Sequence, residues 1–316
     1  MRACLELARI ASQSDVPVLI LGESGTGKTI LARAIHNSSA RAPEPFVCFN
    51  AAALSDMLLD SQLFGHEHGA FAGAVQTVKG KFELADRGTL FIDEIADVNS
   101  AAQAKLLRAV EYGEFERLGS DELHVANVRL ISATHLPLKH FVESEHFRKD
   151  LFYRLSGITI SIPPLRDRPS DLRSLIAAEI ASAGRAHGKR IVGISKSAAD
   201  LLFTYHWPGN LRELKRVVHS VVALSTGNVI QRSAIFLEKP DTRRARGELA
   251  SEVSDPEPDL TLRRAELRHI HQVLQRMGGN KRRTAKALGV SRATLDRKLS
   301  SKAAGDPSNM SSVTPE

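Results

Sequence analysis

The run GESGTGKT, Gly22 to Thr29, carries glycines, a lysine and a threonine at the spacing G-x-x-x-x-G-K-[ST]. Gly22, Gly25 and Gly27 let backbone N–H groups fold around phosphates, with Glu23, Ser24 and Thr26 completing the loop. Lys28 adds a point charge, and the hydroxyl of Thr29 can ligate Mg²⁺. Downstream, GTLFIDEI delivers Asp93 and Glu94 at the end of an apolar run. Asp93 suits the Mg²⁺ shell, and Glu94 is placed to orient and polarise an attacking water. The chemistry these types and spacings allow is binding and hydrolysis of ATP. A glycine-rich turn with an incidental lysine is the competing reading. A strand before the loop (PVLIL) and a helix after it favour the phosphate site.

Three further stretches carry candidate groups. VRLISATH ends a buried strand in Thr134 and His135, and His135 alone reads equally as a satisfied turn histidine. EHFRKDLFYRLSG holds Arg148 and Arg154. An arginine on the developing charge of phosphoryl transfer is worth roughly 10³–10⁵ in rate, whereas two surface arginines make only weak ion pairs. Six residues of straight helix turn through about 600°, so the two share a target only if the helix ends between them or their roles differ. HWPGNLRELKRVV predicts Asn210 as a helix N-cap with Glu213 at the capping-box position, and a buried face of Leu211, Leu214, Val217, Val218 and Val221. Arg212 falls in the first turn off that face, where the helix dipole does not favour a cation; this points to phosphate sensing. A different puzzle is GHEHGAFAGA, which sets one large apolar residue, Phe71, among Gly69, Ala70, Ala72, Gly73 and Ala74. Glycine there disfavours helix or strand and predicts an exposed loop.

The elements that must position these groups alternate. PVLIL, PFVCFN, TLFID, VRLISAT and GITISIP are strand candidates separated by helical stretches, which predicts a parallel α/β core over 1–164. Residues 165–238 read as mainly helical, broken near Gly184–Gly193 and at HWPGN. Residues 239–259, with three prolines and mixed charge, read as a flexible linker, and 303–316 as a disordered tail. With 316 residues, 42% hydrophobic and 25% charged, most of the chain should be an ordinary soluble globule. No apolar run reaches membrane-spanning length, and MRACLELARIASQSD lacks the pattern of a secretion signal. Of two cysteines, Cys48 lies in an apolar run and is expected in the core. Together these features fit a reducing cytoplasm.

The net charge of +7 is concentrated at one end. Residues 260–302 hold twelve basic residues against Glu266 and Asp296, which leaves the rest slightly acidic. A basic end on such a body points to nucleic acid, with a solvated basic surface as the bland alternative. Leu267, Ile270, Leu274 and Met277 recur at helical spacing, as a dimer seam or a core stripe. Asn280 can cap the next helix, Thr284 to Val290 reads as a short helix and a glycine turn, and Ser291 can cap a final helix, SRATLDRKLSS. That is helix-turn-helix spacing. Ser291, Arg292, Ala293 and Thr294 would reach base edges of double-stranded DNA, and Lys281, Arg282, Arg283, Arg297 and Lys298 would serve phosphates.

Taken together these motifs resemble bacterial enhancer-binding proteins, the AAA+ activators of sigma-54 RNA polymerase. The likeness covers nearly the whole chain except linker and tail. It implies an AAA+ P-loop NTPase core with a parallel sheet, an α-helical lid, and an all-α Fis-type helix-turn-helix domain over 260–302. GESGTGKT and GTLFIDEI resemble the family's Walker A and Walker B, although the family often has glutamate at the position of Thr29. Asn50, in FVCFNAAAL, matches the asparagine that restrains the catalytic glutamate until the partner is engaged. VRLISATH resembles sensor I with Thr134, and WPGNLREL carries the sensor II arginine, Arg212. Arg148 and Arg154 match the arginine fingers that reach a neighbouring subunit's nucleotide, which implies a ring, typically a hexamer. LFGHEHGAFAGA resembles the sigma-contacting loop, usually GAFTGA, with Phe71 at its tip. Ala72 stands in place of threonine, and Asp296 where an aromatic is common. Ala72 keeps open an alternative, a DNA-binding regulator of the same fold acting independently of sigma-54. The short stretch Arg2 to Asp15 ahead of the P-loop strand leaves two expectations, regulation in trans or an upstream domain missing, with part of the adenine pocket.

Overall fold

The computed structural model of the protein describes residues 1–52, 54–237, 270, 273, 274, 277 and 280–300. The chain divides into two compact units, Met1–Lys239 and Pro240–Glu316.

The five apolar runs become the five strands of one parallel sheet: β1 (Val18–Leu21), β2 (Phe46–Asn50), β5 (Thr89–Asp93), β8 (Arg129–Thr134) and β9 (Ile158–Ser161). Their order across the sheet is β2-β5-β8-β1-β9, with every pairing parallel. Both faces of the sheet are covered, which is why the inner strands read as continuous apolar runs. Alternate residues divide two cores. Val18, Ile20, Phe91, Ile131 and Ala133 pack with α1 (Arg2–Ser12) and α2 (Lys28–Asn37). Leu19, Leu90, Ile92 and Leu130 pack with α3 (Asp56–Phe64), α4 (Lys81–Leu84), α5 (Ser100–Tyr112), α6 (Leu138–Glu143) and α7 (Lys149–Leu155). Cys48 departs from its expected place: β2 is an edge strand, and this thiol is exposed.

Two small hairpins interrupt the alternation, β3 (Gly65–His66) with β4 (Val78–Lys79) and β6 (Glu114–Glu116) with β7 (Leu123–Val125). Past Pro164 the chain is helical, with α8 (Pro169–Ala186), α9 (Lys196–Thr204) and α10 (Asn210–Leu224) around a core of Leu172, Ile176, Leu202, Trp207, Leu214, Val217, Val218 and Val221. Four of the five residues assigned to the buried face of α10 are buried; Leu211 is half-buried.

In the second unit α11 (Lys281–Ala287) and α12 (Arg292–Ser300) flank a turn at Gly289, φ +65°. The side chain of Asn280 accepts from the N–H groups of Arg282 and Arg283, and Ser291 Oγ from that of Thr294, so both expected caps form. Ile270, Ala285 and Leu295 are the buried core. Leu274 is half-buried and Met277 exposed, while Leu267, the linker and the tail lie outside the described residues. No described helix is long and apolar enough to cross a membrane.

Candidate nucleotide site

The site lies where β1, β5 and β8 end. Gly22–Gly27 turns from β1 into α2, whose N-cap, Gly27, has φ +102° and no side-chain capping bond. The first amides of α2 therefore point at the loop unpaired by a cap, as an anion site requires. Gly25 is fixed by crowding as well as by φ +78°: a Cβ there would come within 2.4 Å of the Gly209 carbonyl. Lys28 is buried, and its Nζ donates to the Gly22 carbonyl at 2.9 Å and sits 3.8 Å from a Glu94 carboxylate oxygen.

Asp93 and Glu94 leave β5 side by side, and Glu94 takes φ +54°. Burial, and then the neighbouring Glu94 charge, push the Asp93 carboxyl above the usual aspartate range. Glu94 Oε2 accepts from the backbone N–H of His135 at 3.3 Å and lies 2.7 Å from its Nδ1. The Thr134 carbonyl accepts from Gly22 N–H, and Thr134 Oγ1 from Leu136 N–H. Asn50 pairs in register with Asp93 across β2–β5, but its carboxamide oxygen accepts from Ala52 N–H, 2.9 Å away, and Glu94 is held by His135.

The helical segment closes over the loop. Arg212 Nη1 donates to Ser24 Oγ at 2.7 Å, and Leu211 N–H to the Gly25 carbonyl. Arg166 grips Glu23 with two bonds, 2.9 and 2.5 Å, which hold that carboxyl below its ordinary range. Asn210 is not the N-cap that its sequence context predicts. Gly209 takes that position, and Asn210, φ +49° and fully buried, donates to Glu23 and the Ser24 carbonyl and accepts from Leu165 N–H. Glu213 does cap the helix start, accepting from Gly209 N–H at 2.8 Å.

These elements enclose a cavity of about 380 Å³, lined by Ser24, Gly25, Gly27, Lys28, Thr29, Asp93, Glu94, Arg212 and, from the helical segment, Leu175, Glu179, Leu214 and Lys215. Its donor set fits Mg²⁺. One hydroxyl and one carboxylate leave coordination places for phosphate oxygens and water, which this ion prefers to an all-protein cage. Among the described residues no cluster of three or more His, Cys, Asp or Glu side chains offers such a cage.

Residues 1–161, just over half of the chain, match the family model described as the Sigma-54 interaction domain. The chain belongs to the sigma-54-dependent transcriptional activators. Residues 166–250 match the AAA+ ATPase lid domain and 261–300 the Fis family of bacterial regulatory proteins. Transcriptional regulatory protein ZraR of Klebsiella oxytoca is 44% identical over 300 residues, 95% of this chain and 67% of that protein. The Nif-specific regulatory protein of Klebsiella pneumoniae is 48% identical over 241 residues, 76% of this chain and 46% of its own length. NtrX of Brucella abortus, solved with ATP, matches 95% of this chain and 67% of its own with TM-score 0.68 at 31% identity.

In this activator Arg148 and Arg154 do not line the cavity. Arg148 is the N-cap of α7 and Arg154 lies in its last turn, so the helix begins between them. Arg148 is exposed and makes a two-pronged pair with Asp150, at 3.1 and 2.7 Å. The activator's GAFAGA loop, Gly69–Ala74, rises from the β3–β4 hairpin. Phe71 is not fully exposed as its loop predicts: its ring stands edge-on to His66, centroids 4.9 Å apart, and is half-buried. Ala72 is exposed, Ala74 is buried, and Ala70 lies beside Gly119 of the second hairpin. Below the loop, Arg117 bridges Glu67 and Glu83, both at 2.7 Å. In the second unit Lys281, Arg282, Arg283, Ser291, Arg292, Ala293 and Arg297 are exposed, Thr294 and Lys298 half-buried. Asp296 pairs with Lys281 at 2.9 Å and approaches Arg292 at 3.9 Å.

Sequence reasoning missed the partners rather than the motifs. Arg166, His135 and Asn210 each hold a motif residue across a long sequence separation. VRLISATH and HWPGN marked two of these stretches without disclosing what their side chains reach.

Proposed function

We propose that this chain hydrolyses ATP in the cavity described and uses the cycle to drive the Phe71 loop against sigma-54 RNA polymerase bound at a closed promoter. Gly22–Thr29 hold the phosphates, with Lys28 as the fixed charge. Thr29 and Asp93 are the residues that would hold Mg²⁺, which supplies charge neutralisation at the transferring phosphoryl group. Glu94 orients the attacking water; His135 holds it here, and family likeness assigns Asn50 the restraint in another state of the cycle, once its carboxamide leaves Ala52. Thr134 and Arg212 report the state of the nucleotide to the sheet and the lid. Arg148 and Arg154 act in the neighbouring subunit's site, so the working form is a ring, six-membered by family likeness. The second unit binds upstream double-stranded DNA as a dimer, in the cytoplasm. One observation carries the reading: P-loop, strand-end carboxylates and lid arginine line one cavity, in the same unit as a glycine-hinged loop with an apolar ring.

Ala72 favours a second reading, a regulator of this fold that does not act through sigma-54. It removes a hydroxyl whose hydrogen bonds are worth about 0.5–1.5 kcal/mol each. Promoter opening by purified sigma-54 holoenzyme, with ATP and excess protein, separates the two. Opening by the native chain is the expected result, with Ala72→Thr changing it by less than about tenfold. Opening by Ala72→Thr alone, at equal ATPase, would support the second reading.

A further inference from the structure

We infer that Gln103 positions the arginine that a subunit presents to its neighbour and ties it to that subunit's own hydrolytic strand end. The inference rests on the reading of Arg148 as a group acting in the adjacent nucleotide site.

Gln103 lies on α5, 1% exposed. Its Nε2 donates to the Val98 carbonyl at 2.8 Å and to the His146 carbonyl at 3.1 Å, and its Oε1 accepts from Arg148 N–H at 2.8 Å. Val98 closes the short turn Ile95–Asp97 that leaves Glu94, and Asp97 N–H bonds the Glu94 carbonyl at 3.0 Å. One side chain therefore spans from the segment leaving the carboxylate pair to the segment that enters Arg148.

The surroundings argue that this amide is more than filler. Ala102, Leu106, Phe147, Leu151 and Leu155 pack α5 against α7. An aliphatic side chain would extend that packing, and a buried amide is tolerated there only because its groups are bonded. Apolar contact is non-directional, whereas three hydrogen bonds fix where residue 148 starts from the helix. The guanidinium itself stays outside, paired with Asp150 in solvent. Its backbone origin is fixed while its head can exchange Asp150 for a phosphate. A change around Glu94 during hydrolysis thus has a bonded route to the arginine offered next door. Misplacing a catalytic group by about 1 Å costs on the order of 10²-fold in rate.

Mixed assemblies of full-length chains test this. A Glu94→Gln chain donates its arginine but does not turn over ATP, and an Arg148→Ala chain keeps its carboxylates but lacks the arginine. Mixed, they are expected to hydrolyse ATP at least about tenfold faster than either alone. Adding Gln103→Met to the donor, which keeps volume and removes all three bonds, is expected to cut that gain by about tenfold or more. A gain unchanged by Gln103→Met in the donor overturns the inference. No gain with Gln103 intact overturns it together with the reading of Arg148, so the two failures are distinguishable. Gln103→Glu in the donor is the second variant. It keeps the acceptor for Arg148 N–H and should recover complementation as pH falls and the carboxyl becomes a donor; a flat pH profile would count against the bonds and for packing.

Discussion

The nucleotide cavity and the Phe71 loop belong to one unit of the chain and are held in opposite ways. The P-loop is fastened from the lid side at three consecutive residues: Glu23 by Arg166 and Asn210, Ser24 by Arg212 and Asn210, Gly25 by Leu211. The Phe71 loop turns on Gly69 and Gly73, with φ of +79° and +105° and open space where a Cβ would be. Its base is tied at Glu67, which Arg117 and Thr77 hold from below, and its tip only by the Phe71 ring against His66. The difference separates preorganisation from movement. Groups that must meet a phosphoryl group gain from being fixed in advance, while a loop that must reach a partner needs backbone freedom above a firm base.

The sharpest break falls on the cavity side. Arg148→Ala should lower ATP turnover by about 10³-fold or more in the assembled protein while leaving the Phe71 loop in place. A steady-state ATPase assay measures this, and a loss under tenfold would remove Arg148 from the chemistry. Next, Glu94→Gln should lower turnover by roughly 10²–10⁴-fold and spare ATP affinity, which equilibrium binding beside the turnover assay would check. The loop side should break independently. Phe71→Ala is expected to abolish promoter opening and to leave ATPase within about twofold, since the ring touches His66 and not the cavity. A parallel loss of ATPase would mean that loop and cavity are not separable.

The smallest effect sharpens the comparison by showing what fixing a site costs. Asp93 is a half-buried carboxylate beside another, and the fold raises its pKa above the ordinary value. Its ionised form is therefore destabilising in the nucleotide- and metal-free protein. Asp93→Asn should raise the thermal midpoint of that form by a few degrees at neutral pH, for about 1 kcal/mol, while abolishing turnover. The sign follows from linkage: the gain is full above Asp93's raised pKa and vanishes below the ordinary aspartate range, where both states are protonated. Differential scanning without nucleotide checks it, and an unchanged or lower midpoint would show that Asp93 is not strained.

How far the sequence reaches follows the same division. Gly22–Thr29 and Asp93–Glu94 are legible because each is a contiguous run whose strand context is local. The five strands are legible because a parallel sheet covered on both faces leaves continuous apolar stretches. What stays hidden is pairing at a distance. Arg166 meets Glu23 across 143 residues, and His135 meets Glu94 across 41. Asn210 shows the limit of a local rule, because its cap-like context is genuine but its side chain serves Glu23, Ser24 and Leu165 instead. For Phe71 the glycines predicted a loop, yet no local signal says that the ring turns back onto His66. Cys48 is exposed rather than in the core because an apolar run does not reveal which strand ends at the sheet's edge.

The central claim is that the state of the fixed cavity governs the hinged loop. Binding of purified sigma-54 to the full chain, compared between a trapped transition-state analogue of ATP and ADP, tests it most directly. The account predicts a complex with the analogue, none with ADP, and loss of the complex in Phe71→Ala. A complex that forms equally with ADP, or that survives Phe71→Ala, would contradict it.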